Sequence, residues 1–320
     1  MAPRKSAVAR SPRARYQRCR VSNSQRTLVN LEGRLVPPEQ ALVPVLDRGF
    51  LYGDSAYEVV RTYGGAPFAL AEHLARLERT AERIHLRLPA RDEVEFEVLR
   101  TLEAAGNPES YVRIMVTRGT GQFGLAPEPA DAPRLIILVR PFEPLPAALY
   151  EKGLHLAVVP TRRLHQRTVD PRAKTGNYLN SVLALGEARA AGADDAIFLD
   201  LEGHITECSS SNVFFAKDGV IVTPPLSQAL LDGVTRGLVL RLAREAGFHV
   251  REEPHGPGAL KDADEVFVTS TLREVLAVTT LSMLEDRDPA PLAVGDGKPG
   301  PIARKLLQAL QGHAGSGPAA

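Results

Sequence analysis

The sequence has few cysteines and no long apolar run, and each absence excludes a class of protein. Its two cysteines, Cys19 and Cys208, lie far apart, so we expect no disulfide framework and a cytoplasmic location. No run approaches the roughly 20 apolar residues that a membrane span needs, so no membrane association is expected. A net charge of +1 does not favour a specific nucleic-acid-binding protein, since such proteins are usually basic overall.

Signatures of metal enzymes and serine hydrolases are missing as well. The eight histidines form no H-E-x-x-H motif and no Cys/His cluster, so we expect no metal site. The sequence contains no G-x-S-x-G motif. Cys208 has two interpretations, a catalytic nucleophile or a buried thiol, and the lack of an evident partner histidine favours the thiol.

One dinucleotide-binding signature is present but incomplete. Gly119, Gly121 and Gly124 form G-x-G-x-x-G after the strand-like segment YVRIMVTR. A dinucleotide site also needs a helix that opens at this turn, and the three prolines of the following LAPEPADAP disfavour one. We therefore interpret this segment as a loop between two strands.

The first 26 residues form a separate, basic segment. They contain eight arginines and lysines, and the first acidic residue of the chain is Glu32. Two interpretations stay open: a disordered tail or misassigned start, which the composition favours, and an organelle transit segment. A non-enzymatic hypothesis, in which the protein binds polyanions or a partner, rests on this segment alone and has no specificity behind it.

The rest of the sequence alternates strand-like and helix-like segments, which predicts an α+β protein with two lobes. Three prolines in RPFEPLPAALYEKG predict a linker at 141–153. The small lobe is then 27–140 and the larger lobe 154–311, with a disordered tail at 312–320. In the larger lobe we expect a helix directly after the strand EVFVTST.

Lysine is scarce, and one lysine has an unusual setting. Lys174 is one of seven lysines and lies in DPRAKTGNYLNSVLALGEA, just before an apolar helix. A desolvated lysine has a lowered pKa and attacks a carbonyl as the neutral amine. On this segment alone, a lysine with its charged end in water is the favoured alternative.

Two segments have the pattern of an anion-binding site. In LLDGVTRGLVLRL, Val234 and Thr235 open a helix whose free N–H groups can hold a phosphate. In VFVTSTLRE, the hydroxyls and amides of Thr269, Ser270 and Thr271 can serve the same phosphate. For each segment alone, an ordinary helix N-cap is the favoured alternative.

Charged side chains elsewhere complete a candidate cofactor site. The predicted helix at 72–88 carries Arg76, Arg79 and Arg83, one of which we expect to face inward and pair with a phosphate. In GHITECSSSNVFF, Glu207 ends one strand and Asn212 precedes the next. A carboxylate keeps the ring nitrogen of pyridoxal 5'-phosphate protonated; the alternative is a surface glutamate in a turn.

The order of these segments resembles the class IV, or fold-type IV, aminotransferases, which depend on pyridoxal 5'-phosphate. That family includes branched-chain and D-amino acid aminotransferases, R-selective amine aminotransferases and aminodeoxychorismate lyase. It implies a homodimer, with a small α/β lobe and a larger pseudo-barrel lobe that binds the cofactor. The matching segments span about 27–310 and are RGFLYGDSAYEVVR, EHLARLERTAERI, YVRIMVTRGT, AKTGNYLNSVLALGEA, GADDAIFLDLEGHITECSSSNVFF, VTPPL, LLDGVTR and ADEVFVTST.

The resemblance also implies a role for each matching residue. Lys174 is expected to hold the cofactor as a Schiff base and to move the proton during catalysis. The other cofactor contacts that the resemblance implies are Glu207 at the ring nitrogen, Tyr178 near the ring hydroxyl, Leu231 on the ring face, and Arg76, Val234, Thr235 and Thr271 at the phosphate. From their positions in the segments described above, we also expect Asn212 and Ser270 to contact the cofactor. The expected substrate contacts are Tyr57, Arg113, Thr271 and Leu272.

The substrate stays open at the level of sequence. The loop GQFGLAPEP lacks the R-x-H carboxylate clamp of D-amino acid enzymes, and YVR is closer to the branched-chain type, whereas GDSAYEVVR is closer to the D-amino acid and lyase types. We expect ping-pong transfer between an amino acid and a 2-oxo acid. The alternatives are an aminodeoxychorismate lyase, which KTGNYL disfavours at Gly176, and an R-selective amine aminotransferase.

Overall fold

Two sheets divide the chain into an N-terminal and a C-terminal part. The structure is a computed structural model that describes residues 26–127, 130, 132–286 and 290–315. The strands of the first sheet are β1 (Leu28–Leu31), β2 (Arg34–Val36), β3 (Ser55–Tyr63), β4 (Ala66–Pro67), β5 (Ser110–Thr117) and β6 (Arg134–Pro141). They pair antiparallel in the order β2-β1-β6-β5-β3-β4.

The second sheet closes on itself. Its strands are β7 (Leu154–Val158), β8 (Asp195–Leu199), β9 (Ile205–Cys208), β10 (Asn212–Lys217), β11 (Val220–Thr223), β12 (His249–Glu252), β13 (Glu265–Ser270), β14 (Glu274–Met283) and β15 (Leu292–Ala293). The order is β12-β11-β10-β13-β14-β7-β8-β9, and β9 pairs back onto β10. The closing pair is Glu207 with Asn212, so closure of the barrel brings two predicted site residues side by side.

Helices cover the faces of both sheets. They are α1 (Arg48–Tyr52), α2 (Leu70–Arg83), α3 (Arg91–Ala105), α4 (Ala147–Lys152), α5 (Leu179–Ala190), α6 (Val234–Glu245), α7 (Gly258–Lys261) and α8 (Pro301–Gly315). In α2, Leu70, Leu74, Leu77 and Ala81 recur at helical spacing and are buried against the first sheet. No helix of the described residues is long and apolar enough to cross a membrane.

The expected two-lobed α+β organisation is confirmed, but one expected helix is absent. A three-residue turn, 271–273, follows β13, and β14 then pairs with both β13 and β7. The helix prediction after EVFVTST is therefore wrong. The segment EVLAVTTLSM is rich in β-branched residues, which suit a strand buried between two neighbours better than a helix.

The described residues reach or cross three of the predicted segments outside the lobes. Residues 1–25, which carry most of the basic tail and Cys19, lie outside the described residues, whereas Arg26 donates its backbone N–H to Asn107 at 2.8 Å. The expected linker at 141–153 contains α4. Helix α8 continues beyond the expected start of the C-terminal tail, because Leu310 and Ala314 extend its buried face.

The glycine-rich segment connects β5 to β6, as expected of a loop. No helix opens within its described residues, so nothing there offers helix N–H groups to a pyrophosphate. Instead, the buried Arg48 of α1 holds the loop by donating to the carbonyls of Gly124, Leu125 and Ala126 at 2.8, 3.1 and 3.0 Å.

Candidate active site

A cavity of about 410 Å³ lies between the two lobes, and all thirteen predicted site residues line it. Its volume is in the usual range for a small-molecule site. The residues concerned are Tyr57, Arg76, Arg113, Lys174, Tyr178, Glu207, Asn212, Leu231, Val234, Thr235, Ser270, Thr271 and Leu272. Segments that are far apart in the sequence therefore meet at one site.

Lys174 lies in an irregular segment that precedes α5, not at the helix start. The small lobe fixes its backbone, because the Tyr57 N–H donates to the Lys174 carbonyl at 3.0 Å and the Lys174 N–H donates to Thr80 Oγ1 at 3.2 Å. The side chain is half-buried and lines the cavity. The alternative of a lysine whose charged end simply lies in water does not match this position.

Aromatic groups surround the amine of Lys174. Its Nζ lies 3.4 Å from the Tyr178 hydroxyl and 4.6 Å from the centre of the Tyr57 ring. The Arg113 guanidinium lies 3.9 Å from that same ring centre, so Tyr57 contacts two cationic groups. The two tyrosine rings meet edge-on at 5.7 Å.

The pKa values of the two tyrosines, Tyr57 and Tyr178, are shifted in opposite directions. Burial raises the pKa of Tyr57, and hydrogen bonding to Tyr178 raises it further. Burial also opposes ionisation of Tyr178, but the Lys174 ammonium and the hydrogen bonds from Tyr57 and Lys174 outweigh burial and lower the pKa of Tyr178. Tyr57 is therefore a donor, and Tyr178 is the phenol closer to deprotonation.

Glu207 is buried and held at both oxygens. Its Oε1 pairs with Arg163 at 2.9 Å, and its Oε2 accepts the backbone N–H of Leu231 at 3.0 Å. Each carboxylate oxygen has two lone pairs, so Glu207 can accept a further proton donor from the cavity. Sequence reasoning missed Arg163, because TRRLHQ contains no motif and only the fold brings this loop to β9.

The opening of α6 lies next to the barrel closure. Asn212 donates to the carbonyl of Leu231 at 3.0 Å, which fixes the loop that leads into the helix. A Cβ on Gly233 would collide with Asn212 Oδ1, so this close approach requires glycine. No side chain among the described residues caps α6, so the first N–H groups at Val234 and Thr235 are available to a ligand.

Arg76 is the arginine of α2 that lines the cavity. It is buried and makes a bidentate ion pair with Glu58, at 2.7 Å from each oxygen, while its Nη1 donates to the Asp232 carbonyl at 2.9 Å. His73 Nδ1 lies 2.8 Å from the same carboxylate. Arg79 and Arg83 are partly exposed and form surface ion pairs.

Burial of Glu58 would raise the pKa of its carboxyl, but the Arg76 guanidinium and the hydrogen bonds from Arg76 and His73 outweigh it. The pKa of Glu58 therefore lies well below its usual range. Its charge holds the Arg76 side chain in place beside the cavity.

The end of β13 and the turn after it supply the remaining polar groups. Thr269 Oγ1 is buried at the cavity wall and has no hydrogen-bond partner among the described residues. Arg273 also lines the cavity, and it pairs with the buried Asp195 and approaches Ser211 Oγ at 3.4 Å. Sequence reasoning missed Arg273, because the expected helix would have placed it elsewhere.

Cys208 is a buried thiol. Burial, and then the charge of Asp195, raise the pKa of Cys208 well above its ordinary value. A protonated thiol is a poor nucleophile, so the alternative of a catalytic cysteine is not supported.

The comparisons with known proteins agree with this geometry. The family model for amino-transferase class IV matches residues 55–281. A Methanocaldococcus jannaschii protein provisionally named as a branched-chain-amino-acid aminotransferase is 40% identical over 251 residues, covering 78% of this chain and 86% of its own. The D-alanine aminotransferase of Bacillus licheniformis is 32% identical over 288 residues, covering 88% and 95% of the two chains.

Solved structures share the fold as well. The T.th. branched-chain amino acid aminotransferase with pyridoxamine 5'-phosphate matches with a TM-score of 0.84 and 32% identity, covering 91% of this chain and 95% of that one. The same enzyme has also been solved with N-(5'-phosphopyridoxyl)-L-glutamate. The two lobes, the closed second sheet and the family match agree, and the chain belongs to the class IV aminotransferases, with the fold-type IV architecture and pyridoxal 5'-phosphate as its cofactor.

Proposed function

We propose that this aminotransferase moves an amino group between an amino acid and a 2-oxo acid by a ping-pong mechanism, and that Lys174 holds the cofactor. The observation that carries the assignment is the convergence of Lys174, Tyr178 and Glu207 on one cavity. None of these residues is adjacent in sequence, and each offers the chemistry that its assigned role needs: an amine, a phenol and a carboxylate.

The cavity fits a phosphorylated pyridine ring. The uncapped start of α6 offers N–H groups and a partial positive charge to a phosphate. The buried Thr269 hydroxyl is unpaired among the residues that the structure describes, so a polar group of the ligand can serve as its hydrogen-bond partner. Arg76 uses three of its five N–H groups in the described bonds, so it can also donate to a phosphate.

When bound, pyridoxal 5'-phosphate supplies an electron sink that stabilises negative charge at the substrate Cα. The chain provides the proton movements. Once the substrate amine has replaced it on the cofactor, the free Lys174 amine would take the proton from the substrate Cα and deliver it to the cofactor carbon that receives the amino group. The Tyr178 hydroxyl, 3.4 Å away, orients that amine, and the Glu207 carboxylate holds the proton of the ring nitrogen.

The substrate we propose is an amino acid of the branched-chain or D-amino acid type. Thr271 and Leu272 line the cavity, and their backbone N–H groups can bind an α-carboxylate without the missing R-x-H clamp. Arg113 also lines the cavity and offers a positive charge to the second carboxylate of glutamate or 2-oxoglutarate. Three comparisons support these substrate classes: the glutamate adduct of the T.th. enzyme, the branched-chain name of the M. jannaschii relative and the D-alanine name of the B. licheniformis relative.

We further propose a cytoplasmic homodimer. Several large apolar side chains are exposed around α1 and the loop that Arg48 holds, which is unusual for a monomer. Members of this set, here called the α1 patch, are Leu42, Val45, Leu46, Phe50, Phe123 and Leu125. A second copy of the chain is the occupant that the family resemblance supports.

A donor panel tests the proposed function. The purified holoenzyme is mixed with single L- or D-amino acids, or with R-amines, and the cofactor absorbance is followed without an acceptor. Conversion to the pyridoxamine form by amino acids supports the proposal. Reaction with R-amines alone would show that the substrates are amines and not amino acids. In a separate assay with aminodeoxychorismate, release of pyruvate without amino transfer would identify a lyase.

A further inference from the structure

A buried carboxylate outside the cavity joins both lobes. Glu274 Oε1 accepts from Arg61 Nη1 at 3.1 Å and from the Tyr63 hydroxyl at 2.6 Å. Its Oε2 accepts from the Tyr150 hydroxyl at 2.9 Å and from Gln311 Nε2 at 2.9 Å. These donors come from β3, α4 and α8, so one side chain ties the first sheet, the interlobe segment and the last helix to β14. We call these five residues the Glu274 cluster.

The Arg61 guanidinium of this cluster is packed as closely as the Glu274 carboxylate. The Arg61 guanidinium lies 4.0 Å from the centre of the Tyr63 ring and 4.7 Å from the centre of the Phe142 ring. Both charged side chains are only 5% exposed. A desolvated ion pair with this many partners fixes geometry strongly, because losing one partner leaves a buried charge without compensation.

The backbone at Glu274 is strained. Its φ is 57°, a left-handed conformation in which glycine or asparagine is favoured and glutamate is uncommon. This residue follows directly on the turn 271–273 and is the first residue of β14, where it pairs with Ser270. Glycine would adopt this φ without strain, so the contacts of the Glu274 side chain must offset the strain of its backbone.

The donors to Glu274 stay protonated. Burial and the interaction with the Glu274 carboxylate raise the pKa of both Tyr63 and Tyr150. The Tyr150 hydroxyl also lies 3.5 Å from the carbonyl of Arg273, the last residue of the turn. The cluster therefore contacts the last residue of the turn, and Thr271, Leu272 and Arg273 line the cavity.

We propose that Glu274 is a positioning residue for substrate binding: it locks the 271–273 turn to the small lobe, so that the N–H groups of Thr271 and Leu272 stay aimed at the substrate carboxylate. This inference rests on the proposed function, in which that turn binds the carboxylate. Glu274 itself does not line the cavity. Its contribution is to binding in the ground state and the transition state alike, which affects KM more than kcat.

The test compares holoenzyme variants at saturating cofactor. Glu274→Gln keeps the size of the side chain but removes its charge, and we expect KM for the 2-oxo acid to rise about tenfold, with kcat per bound cofactor changed less than about threefold. Glu274→Gly relieves the strained φ and should raise KM as well. Hydrogen exchange at 271–273 should become faster in both variants, with or without turnover.

Glu265→Gln is the matched control. Glu265 is also a buried carboxylate on the β13–β14 hairpin, and it accepts two N–H groups at the start of α8, at Ile302 and Ala303. Its loss should lower stability and leave KM unchanged. If either Glu274 variant does not fold, Tyr150→Phe and Gln311→Ala each remove one donor and should raise KM by a smaller factor.

An unchanged KM together with unchanged exchange at 271–273 in the folded variants would overturn the proposal, as would recovery of the wild-type KM in Glu274→Gly. A wild-type enzyme that transfers no amino group would instead overturn the proposed function, and the exchange measurement separates the two failures.

Discussion

At the scale of single residues, two contacts hold Glu207, the carboxylate that we assign to the ring nitrogen of the cofactor. Glu207 is positioned by Arg163 and by the Leu231 N–H. Glu207→Gln keeps the shape of the side chain but cannot retain the ring-nitrogen proton as a carboxylate does. We expect cofactor to stay bound and kcat to fall on the order of a hundredfold. Stopped-flow measurement of the half-reaction checks this, and an unchanged rate would show that another group contacts the ring nitrogen.

Arg113 tests the substrate assignment at the same scale. Its guanidinium stacks on Tyr57, so a purely structural contribution is the alternative to carboxylate binding. If it binds a second carboxylate, Arg113→Ala should raise KM for 2-oxoglutarate about tenfold more than KM for pyruvate. Steady-state kinetics with both acceptors decide the matter. An equal rise for both acceptors would indicate that Arg113 acts only by packing against Tyr57.

At the scale of elements, the contact between β3 and α2 makes stability depend on pH. The depressed pKa of Glu58 means that its ion pair stabilises the fold fully above its ordinary value of 4.5 and is lost as pH falls towards the folded-state value. Glu58→Gln should be less stable at neutral pH, by about 3–5 kcal/mol, because Arg76 stays buried without its partner. Thermal unfolding from about pH 7 to about pH 3 should show a steeper loss below pH 4.5 in the wild type than in the variant. If the stability of the wild type and that of the variant fell in parallel as pH was lowered, the result would contradict this account.

The elements also show what sequence alone could and could not predict. The opening of α6 was predictable, because Gly233, Val234 and Thr235 have the local pattern of a helix start. The turn after β13 was not predictable from sequence. Its form depends on the pairing of β14 with the distant β7 and on the left-handed φ of Glu274. Arg163 and the pairing of Glu58 with Arg76 depend on tertiary contacts, which no local motif encodes.

At the scale of the whole molecule, the exposed apolar side chains of the α1 patch predict an interface. Phe50 is 72% exposed and Phe123 84% exposed. Phe50→Asp places a charge in this surface and should convert a dimer into a monomer, which light scattering after size exclusion measures directly. Phe96→Asp is the control, because Phe96 is 61% exposed but lies on α3, outside the patch. A wild-type protein that elutes as a monomer would contradict the dimer.

The assignment of the whole molecule depends on which lysine holds the cofactor. Reduction of the holoenzyme with borohydride fixes the cofactor to that lysine, and peptide mass mapping then identifies it among the seven lysines of the chain. We expect the added phosphopyridoxyl mass on the peptide that contains Lys174, and no label and no amino transfer in Lys174→Ala. Label on another lysine, or a Lys174→Ala variant that transfers amino groups at the wild-type rate, would contradict the central claim.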